Sequence, residues 1–267
     1  MKSSKKKKEQ KVFYYTEITQ DFMETKKQSY VLPDDYEYMP KGRMFKIKSC
    51  VCYFGAKIFA YGYAKLGLHL KIVNRKVIKN IKNSGYFIYG NHSNPLSDVF
   101  TPAIVSDRRI YTICSPANFG IPIIGNILTE LGGIPLGKNE EQKKKFRNAI
   151  DTRIKEGQTV VIYPEAHLWP YYIDVRNFPN KSFKYPVQLN VPVICMTTTY
   201  QKRKFGKKPR VTVYVDGPFY SDPKLSEEEN REKLKTEVYS AMKQRVKNTT
   251  YEYYKYISIE AEKKEGK

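Results

Sequence analysis

Residues 86–98 read Tyr-Phe-Ile-Tyr-Gly-Asn-His-Ser-Asn-Pro-Leu-Ser-Asp. The run Tyr86–Tyr89 is apolar and aromatic, as a buried strand requires. Gly90, Asn91 and His92 end it, and Pro95 then opens a helical stretch. The same figure recurs at Thr159–His167, where Thr-Val-Val-Ile-Tyr gives way to Pro164-Glu165-Ala166-His167. Other β-rich runs lie at Arg109–Cys114, Val193–Thr198 and Arg210–Val215, with a helical stretch at Glu140–Gly157. Strands alternating with helices argue for an α/β fold, a single mixed-sheet domain flanked by helices. Ligands of such folds gather beyond the carboxyl ends of the strands. The turns after Tyr89 and Tyr163 are therefore where chemistry is sought.

Outward from this core the chain divides by composition. Residues 1–43 form a basic, polar, tyrosine-rich arm, with Lys5–Lys8 expected as a solvated block. Residues 44–71 are apolar and aromatic with sparse lysines. On a helical wheel four of their five lysines share one side and only Lys48 lies opposite. That pattern predicts an N-terminal amphipathic helix lying on a membrane surface. Residues 72–222 hold the alternating core. Residues 223–267 are a helical extension and charged tail, where Ser226 and Glu229 make a capping box and Leu234, Val238, Ala241 and Met242 recur at helical spacing.

The 267 residues carry 48 Lys plus Arg against 27 Asp plus Glu, a net charge of +21, with 23 tyrosines. Such a chain meets anions, whether nucleic acid, an anionic membrane or a phosphorylated small molecule. Tyrosine suits boundaries between apolar and wet surroundings. The four cysteines include no Cys-x-x-Cys, and none of the three histidines has zinc-ligand spacing to a cysteine pair. No metal is expected, and the thiols read as reduced and cytosolic. Glu9, Gln10 and Lys11 follow the basic run where a signal peptide needs an apolar one, and no long uncharged apolar stretch occurs.

Four segments could carry chemistry. In Asn91-His92-Ser93-Asn94-Pro95-Leu96-Ser97-Asp98, a strand-end histidine can act as general base, because imidazole titrates near neutrality. A nearby carboxylate such as Asp98 would fix its tautomer and stabilise the imidazolium. Gly132-Gly133-Ile134-Pro135-Leu136-Gly137-Lys138 offers backbone amides and then a lysine, which suits a phosphate. Pro164-Glu165 ends a buried strand, and that glutamate could hold a hydroxyl or support a cation. Val191-Pro192-Val193 opens a core strand.

In order and spacing these four segments resemble the lysophosphatidic acid acyltransferase (1-acylglycerol-3-phosphate acyltransferase) family of glycerolipid acyltransferases. That family carries Asn-His-x-x-x-x-Asp, a Gly-rich block ending in Arg, Pro-Glu-Gly-Thr and Val-Pro-[Ile/Val]. The resemblance spans roughly residues 85–220, including the approach Phe178–Met196. The chain departs from the pattern in several places. Five residues separate His92 from Asp98 where the family has four. Lys138 replaces an arginine, which keeps the charge and loses the bidentate fork. Ala166-His167 replaces Gly-Thr, and Leu168 replaces an arginine, for which Arg176, Lys181 or Lys184 could compensate.

The resemblance implies an acyltransferase core that moves a fatty acyl group from acyl-CoA or acyl-carrier protein to a lysophospholipid hydroxyl, best 1-acylglycerol 3-phosphate giving phosphatidic acid. It makes His92 the base and Asp98 its partner. Asn91, Ser93, Gly133, Lys138, Pro164 and Glu165 would line the substrate site. It implies no cofactor beyond the thioester co-substrate, and a cytoplasmic protein peripheral or monotopic on the inner membrane face. The rival from another class is a nucleic-acid-binding protein, through the basic loop Gln201–Arg210 (QKRKFGKKPR). The same loop could instead dock an acidic carrier protein or anionic lipid headgroups. The four ordered blocks turn the expectation from nucleic acid to lipid phosphate.

Overall fold

The computed structural model describes residues 10–23, 30–82 and 84–260. The block Lys5–Lys8 and the last seven residues of the tail lie outside the described residues.

Nine strands and six α-helices follow in chain order among the described residues: β1 (Val12–Tyr15), α1 (Arg43–Tyr63), β2 (Lys71–Val73), β3 (Tyr86–Gly90), α2 (Ser97–Val105), β4 (Ile110–Cys114), α3 (Leu128–Leu131), β5 (Gly133–Pro135), α4 (Glu140–Lys155), β6 (Thr159–Ile162), α5 (Lys184–Leu189), β7 (Val193–Gln201), β8 (Arg210–Phe219), α6 (Glu227–Val246) and β9 (Lys255–Ser258). Seven strands form one mixed sheet in the order β2-β8-β7-β3-β6-β4-β5. Strands β7, β3, β6, β4 and β5 are mutually parallel. Strand β8 runs antiparallel to β7, and β2 runs parallel to β8.

The centre of the sheet is buried on both faces, which is why β3, β6 and β7 read as continuous apolar runs. Successive side chains of a strand point to opposite faces. Phe87 and Tyr89 accordingly enter the core beneath α4 and α6, with Phe146, Ile150, Leu234, Val238 and Met242. Tyr86 and Ile88 enter the opposite core, with Leu68, Ile78, Ala103 and Val105. Helix α6 starts at the capping box of Ser226 and Glu229. Each of its fully buried Leu234, Val238 and Met242 contributes ~1.5–3 kcal/mol.

Two expectations are corrected. The helix predicted over 44–71 ends earlier: α1 passes into a π turn at Ala64–Leu68, and Lys71 begins β2. His69 takes a left-handed conformation that turns the chain, so Lys71 belongs to no helical face. The arm, expected as a basic, polar extension, carries a strand as well. Its β1 pairs in parallel with β9 as a separate two-stranded sheet. Strands of four residues in tyrosine-rich sequence give too short a period to be read.

Helix α1 rests on the body through small residues, with Ser49, Ala60 and then Ala64 buried. Its Met44, Ile47, Val51, Phe54, Ile58 and Tyr61 are exposed and recur every three or four residues, as one outward stripe. Among the described residues no helix is long and apolar enough to cross a membrane.

Candidate active site

Strand β3 releases the chain at Gly90, and the parallel strands around it end on the same edge of the sheet. A Cβ on Gly90 would lie 2.7 Å from the Tyr163 ring, so no side chain fits there. Tyr163 takes that space and stacks on His92, with ring centroids 4.6 Å apart and planes 24° apart. Its hydroxyl donates to the Asp98 carbonyl at 2.5 Å, which fixes the first turn of α2 to the end of β6.

The chain between His92 and Asp98 folds around Asn94. The Asn94 N–H donates to Asp98 Oδ2 at 3.0 Å, and Asn94 Oδ1 accepts the Ser97 N–H at 3.0 Å. The extra residue of the motif is taken up in the turn at Pro95-Leu96. The result places His92 Nδ1 2.9 Å from Asp98 Oδ2. The Asp98 side chain is 2% exposed and the His92 ring 23%. With Nδ1–H donated to the carboxylate, Nε2 holds the lone pair that can take a proton. Burial pushes the Asp98 carboxyl above its ordinary range, opposed by the hydrogen bond and charge of His92 and the Asn94 N–H. Asp98 Oδ1 has no partner among the described residues. A buried carboxylate with one bare oxygen is costly. A positive charge on His92 would offset that cost.

The loop after β6 holds the backbone of the same histidine. Glu165 Oε1 accepts the His92 N–H at 3.0 Å, and the His92 carbonyl accepts the Trp169 N–H at 3.2 Å. The Ser93 carbonyl accepts the Tyr171 N–H at 2.6 Å and the Tyr200 hydroxyl at 2.9 Å. Glu165 Oε2 accepts from Arg176 through its backbone N–H at 3.2 Å and Nε at 2.9 Å, both side chains being 2% exposed. Burial pushes the Glu165 carboxyl up, and Arg176 with two backbone N–H groups pulls it back. The arm completes this layer. Ile18 and Gln20 supply carbonyls to Arg176 Nη1 at 3.1 Å and Trp169 Nε1 at 2.7 Å. Tyr15, Phe22 and Tyr256 pack their rings on Trp169.

Residues 69–199 match the family model described as Acyltransferase, a span that holds all four sequence blocks. Residues 69–199, just under half of the chain, are thus similar to the acyltransferase family. Among solved structures its fold is similar to the crystal structure of the 1-acyl-sn-glycerophosphate (LPA) acyltransferase PlsC from Thermotoga maritima. The two are 18% identical with a TM-score of 0.55, over 79% of this chain and 84% of that one. No curated protein sequence matches. The mixed-sheet α/β architecture read from the sequence is thus the fold of an acyltransferase.

Other residues expected at the acyltransferase site fall in different places. Asn91 is buried, with Nδ2 donating to the Thr198 carbonyl at 3.1 Å and Oδ1 accepting the Thr198 N–H at 2.7 Å. Its amide is spent pinning β3 to β7. Ser93 is likewise buried, its hydroxyl 2.9 Å from the Tyr200 hydroxyl. Gly133 begins β5. The adjoining Gly132 has φ +97°, and a Cβ there would lie 2.5 Å from the Ile110 carbonyl. These glycines let β5 close on β4. Pro164 turns the chain into the loop, and Glu165 is buried with both oxygens engaged by His92 and Arg176.

Lys138 is exposed just beyond β5, three strands from β3, or about 14 Å across the sheet edge. Arg176, a suggested replacement for the missing phosphate contact, is buried and fully engaged, so it is unavailable to an anion. Sequence reasoning passed over Tyr163, Trp169 and Tyr200. Only the adjacency of Tyr163 to Pro164-Glu165 pointed to any of them. Burial pushes the Cys195 thiol up to about 12, so it offers no thiolate nucleophile.

Proposed function

We propose that this acyltransferase moves a fatty acyl group from acyl-CoA or acyl-carrier protein to the free hydroxyl of a lysophospholipid. The favoured acceptor is 1-acylglycerol 3-phosphate, giving phosphatidic acid. The observation that carries the reading is the His92 Nδ1–Asp98 Oδ2 contact at 2.9 Å, with the ring open at the carboxyl edge of the sheet. His92 Nε2 takes the hydroxyl proton as the acceptor oxygen attacks the thioester carbonyl. Asp98 stabilises the imidazolium that forms. The C–S bond then breaks, the ester is released, and the imidazolium returns its proton to the departing thiolate. General base catalysis of this kind is worth about 10²–10⁴-fold. The scheme passes through no acyl-enzyme and uses no metal or bound cofactor.

Lys138, exposed on the same edge, is the partner proposed for the acceptor's phosphate. The 1-acyl-sn-glycerophosphate acyltransferase activity of the Thermotoga maritima protein supports the acceptor class. The outward stripe of α1 supports attachment to the inner membrane face as a peripheral or monotopic protein. Purified full-length protein should transfer acyl groups from a thioester to lysophosphatidic acid. His92→Ala should lower turnover by at least about 10²-fold with the fold intact. Undiminished transfer by that variant would overturn the mechanism. A different preferred lysolipid in an acceptor panel would overturn the substrate.

A further inference from the structure

We propose that the tip of the β7–β8 hairpin, Lys202–Pro209, is a second membrane contact that, with the stripe of α1, seats the catalytic edge on an anionic bilayer. The proposal rests on the acyltransferase reading for its premise that the acceptor lies in a membrane.

Strand β7 runs parallel to β3, with Gly90 opposite Met196. It continues to Gln201, five residues further, so the hairpin projects roughly 17 Å beyond the strand end from which His92 emerges. Of the ten residues Gln201–Arg210, six are Lys or Arg and none is acidic. Lys202, Lys204, Lys207 and Lys208 are all exposed. At the tip Phe205 is 80% exposed, with the Lys204 ammonium 5.5 Å from its ring. An apolar ring held out among lysines fits the boundary between headgroups and acyl chains. The ring enters the boundary and the ammonium groups stay at phosphate level.

The hairpin is fixed in place. Arg203 bridges its two limbs by donating through Nε to the Pro209 carbonyl at 3.0 Å. Through Nη2 it also donates to the Gly67 carbonyl, in the π turn that ends α1. The Tyr251 hydroxyl donates to the Lys207 carbonyl at 3.3 Å. The cationic tip is thereby joined to the end of the α1 stripe, beside the exposed Leu66. From α1 the apolar line passes through Phe59 to Phe100 of α2, with ring centroids 5.3 Å apart. Leu96 and Val99, on either side of Asp98 in sequence, are exposed there too. Aliphatic and aromatic surface continuous with the cations favours a lipid interface. A nucleic acid would use the charge and leave the stripe wet.

Co-sedimentation of the full-length protein with vesicles tests the contact. Vesicles of phosphatidylcholine alone would be compared with vesicles that also contain phosphatidylglycerol. The triple variant K204Q/K207Q/K208Q should bind the anionic vesicles at least tenfold more weakly, up to about 10²-fold, with little change on neutral ones. Phe205→Ser should weaken both. Neither change touches the core, so both variants should melt with the wild type. Both should also keep transfer to a short-chain, water-soluble lysolipid while losing transfer to the same headgroup in a vesicle. Wild-type affinity of the triple variant for anionic vesicles would overturn the proposal. So would a wild type that shifts RNA through this loop and ignores vesicles. Hairpin-dependent vesicle binding by a protein that acylates no lysolipid would uphold the contact and sink the substrate reading instead.

Discussion

Asp98, in the first turn of α2, and Glu165, in the loop after β6, are both buried carboxylates within hydrogen-bond reach of His92, and they differ in what opposes their charge. Glu165 faces a guanidinium that is always charged, and both its oxygens are occupied. Asp98 faces the His92 imidazole, and one of its oxygens has no partner among the described residues. The first pairing is settled in the resting protein and holds the backbone. The second leaves one oxygen of the carboxylate without a partner among the described residues. Two residues of like chemistry, one strand apart, thus meet His92 in different ways, Glu165 at its backbone and Asp98 at its ring.

Variants of the two carboxylates should separate these roles. Asp98→Asn keeps an oxygen to accept from His92 and Asn94 but cannot stabilise imidazolium. Its turnover should fall by roughly 10²–10⁴-fold, read in a steady-state transfer assay, while its melting temperature holds or rises. Glu165→Ala should do the reverse. It strands Arg176 as a buried uncompensated cation and should cost ~3–5 kcal/mol in denaturant unfolding. An Asp98→Asn protein that unfolds as badly as Glu165→Ala would break the comparison.

A pH series sharpens it. Because the folded protein raises Asp98 above its ordinary 3.8, the folded state binds more protons than the unfolded state between those two values. Stability therefore falls as pH rises through that window. Asp98→Asn lacks this fall, so its advantage over wild type should appear above 3.8 and level off beyond the folded titration range. An advantage that stays flat across the window would show that Asp98 is not strained by its burial.

The smallest effect belongs to Ala166, which holds φ +63° immediately after Glu165. A left-handed alanine costs roughly 1–2 kcal/mol, and the acyltransferase motif has glycine there. Ala166→Gly should recover about 1 kcal/mol at most in denaturant unfolding, offset in part by the freer unfolded chain, with turnover unchanged. A loss of stability would mean that the loop does not keep this backbone.

The sheet was legible because its central strands are buried on both faces and so read as apolar runs. His92 and Asp98 were legible as a spaced pair. The roles of Asn91, Ser93, Gly133 and Glu165 were not, because each is defined by a partner far along the chain. Thr198 and Tyr200 lie more than a hundred residues from Asn91 and Ser93, and Arg176 follows Glu165 across a loop of no regular period. The arm was illegible for the same reason. Ile18 and Gln20 act through backbone carbonyls, which carry no residue identity.

The sequence by itself determined the α/β class, the acyltransferase blocks, the position of the base and the cationic character of the surface. These follow from local periodicity and residue chemistry, which neighbours in the chain express together. Only the tertiary structure decided which polar groups stay free. A buried polar group must find a partner, and the fold assigns those partners. Once Thr198, Tyr200 and Arg176 have engaged Asn91, Ser93 and Glu165, the His92 ring remains partly open at the edge of the sheet.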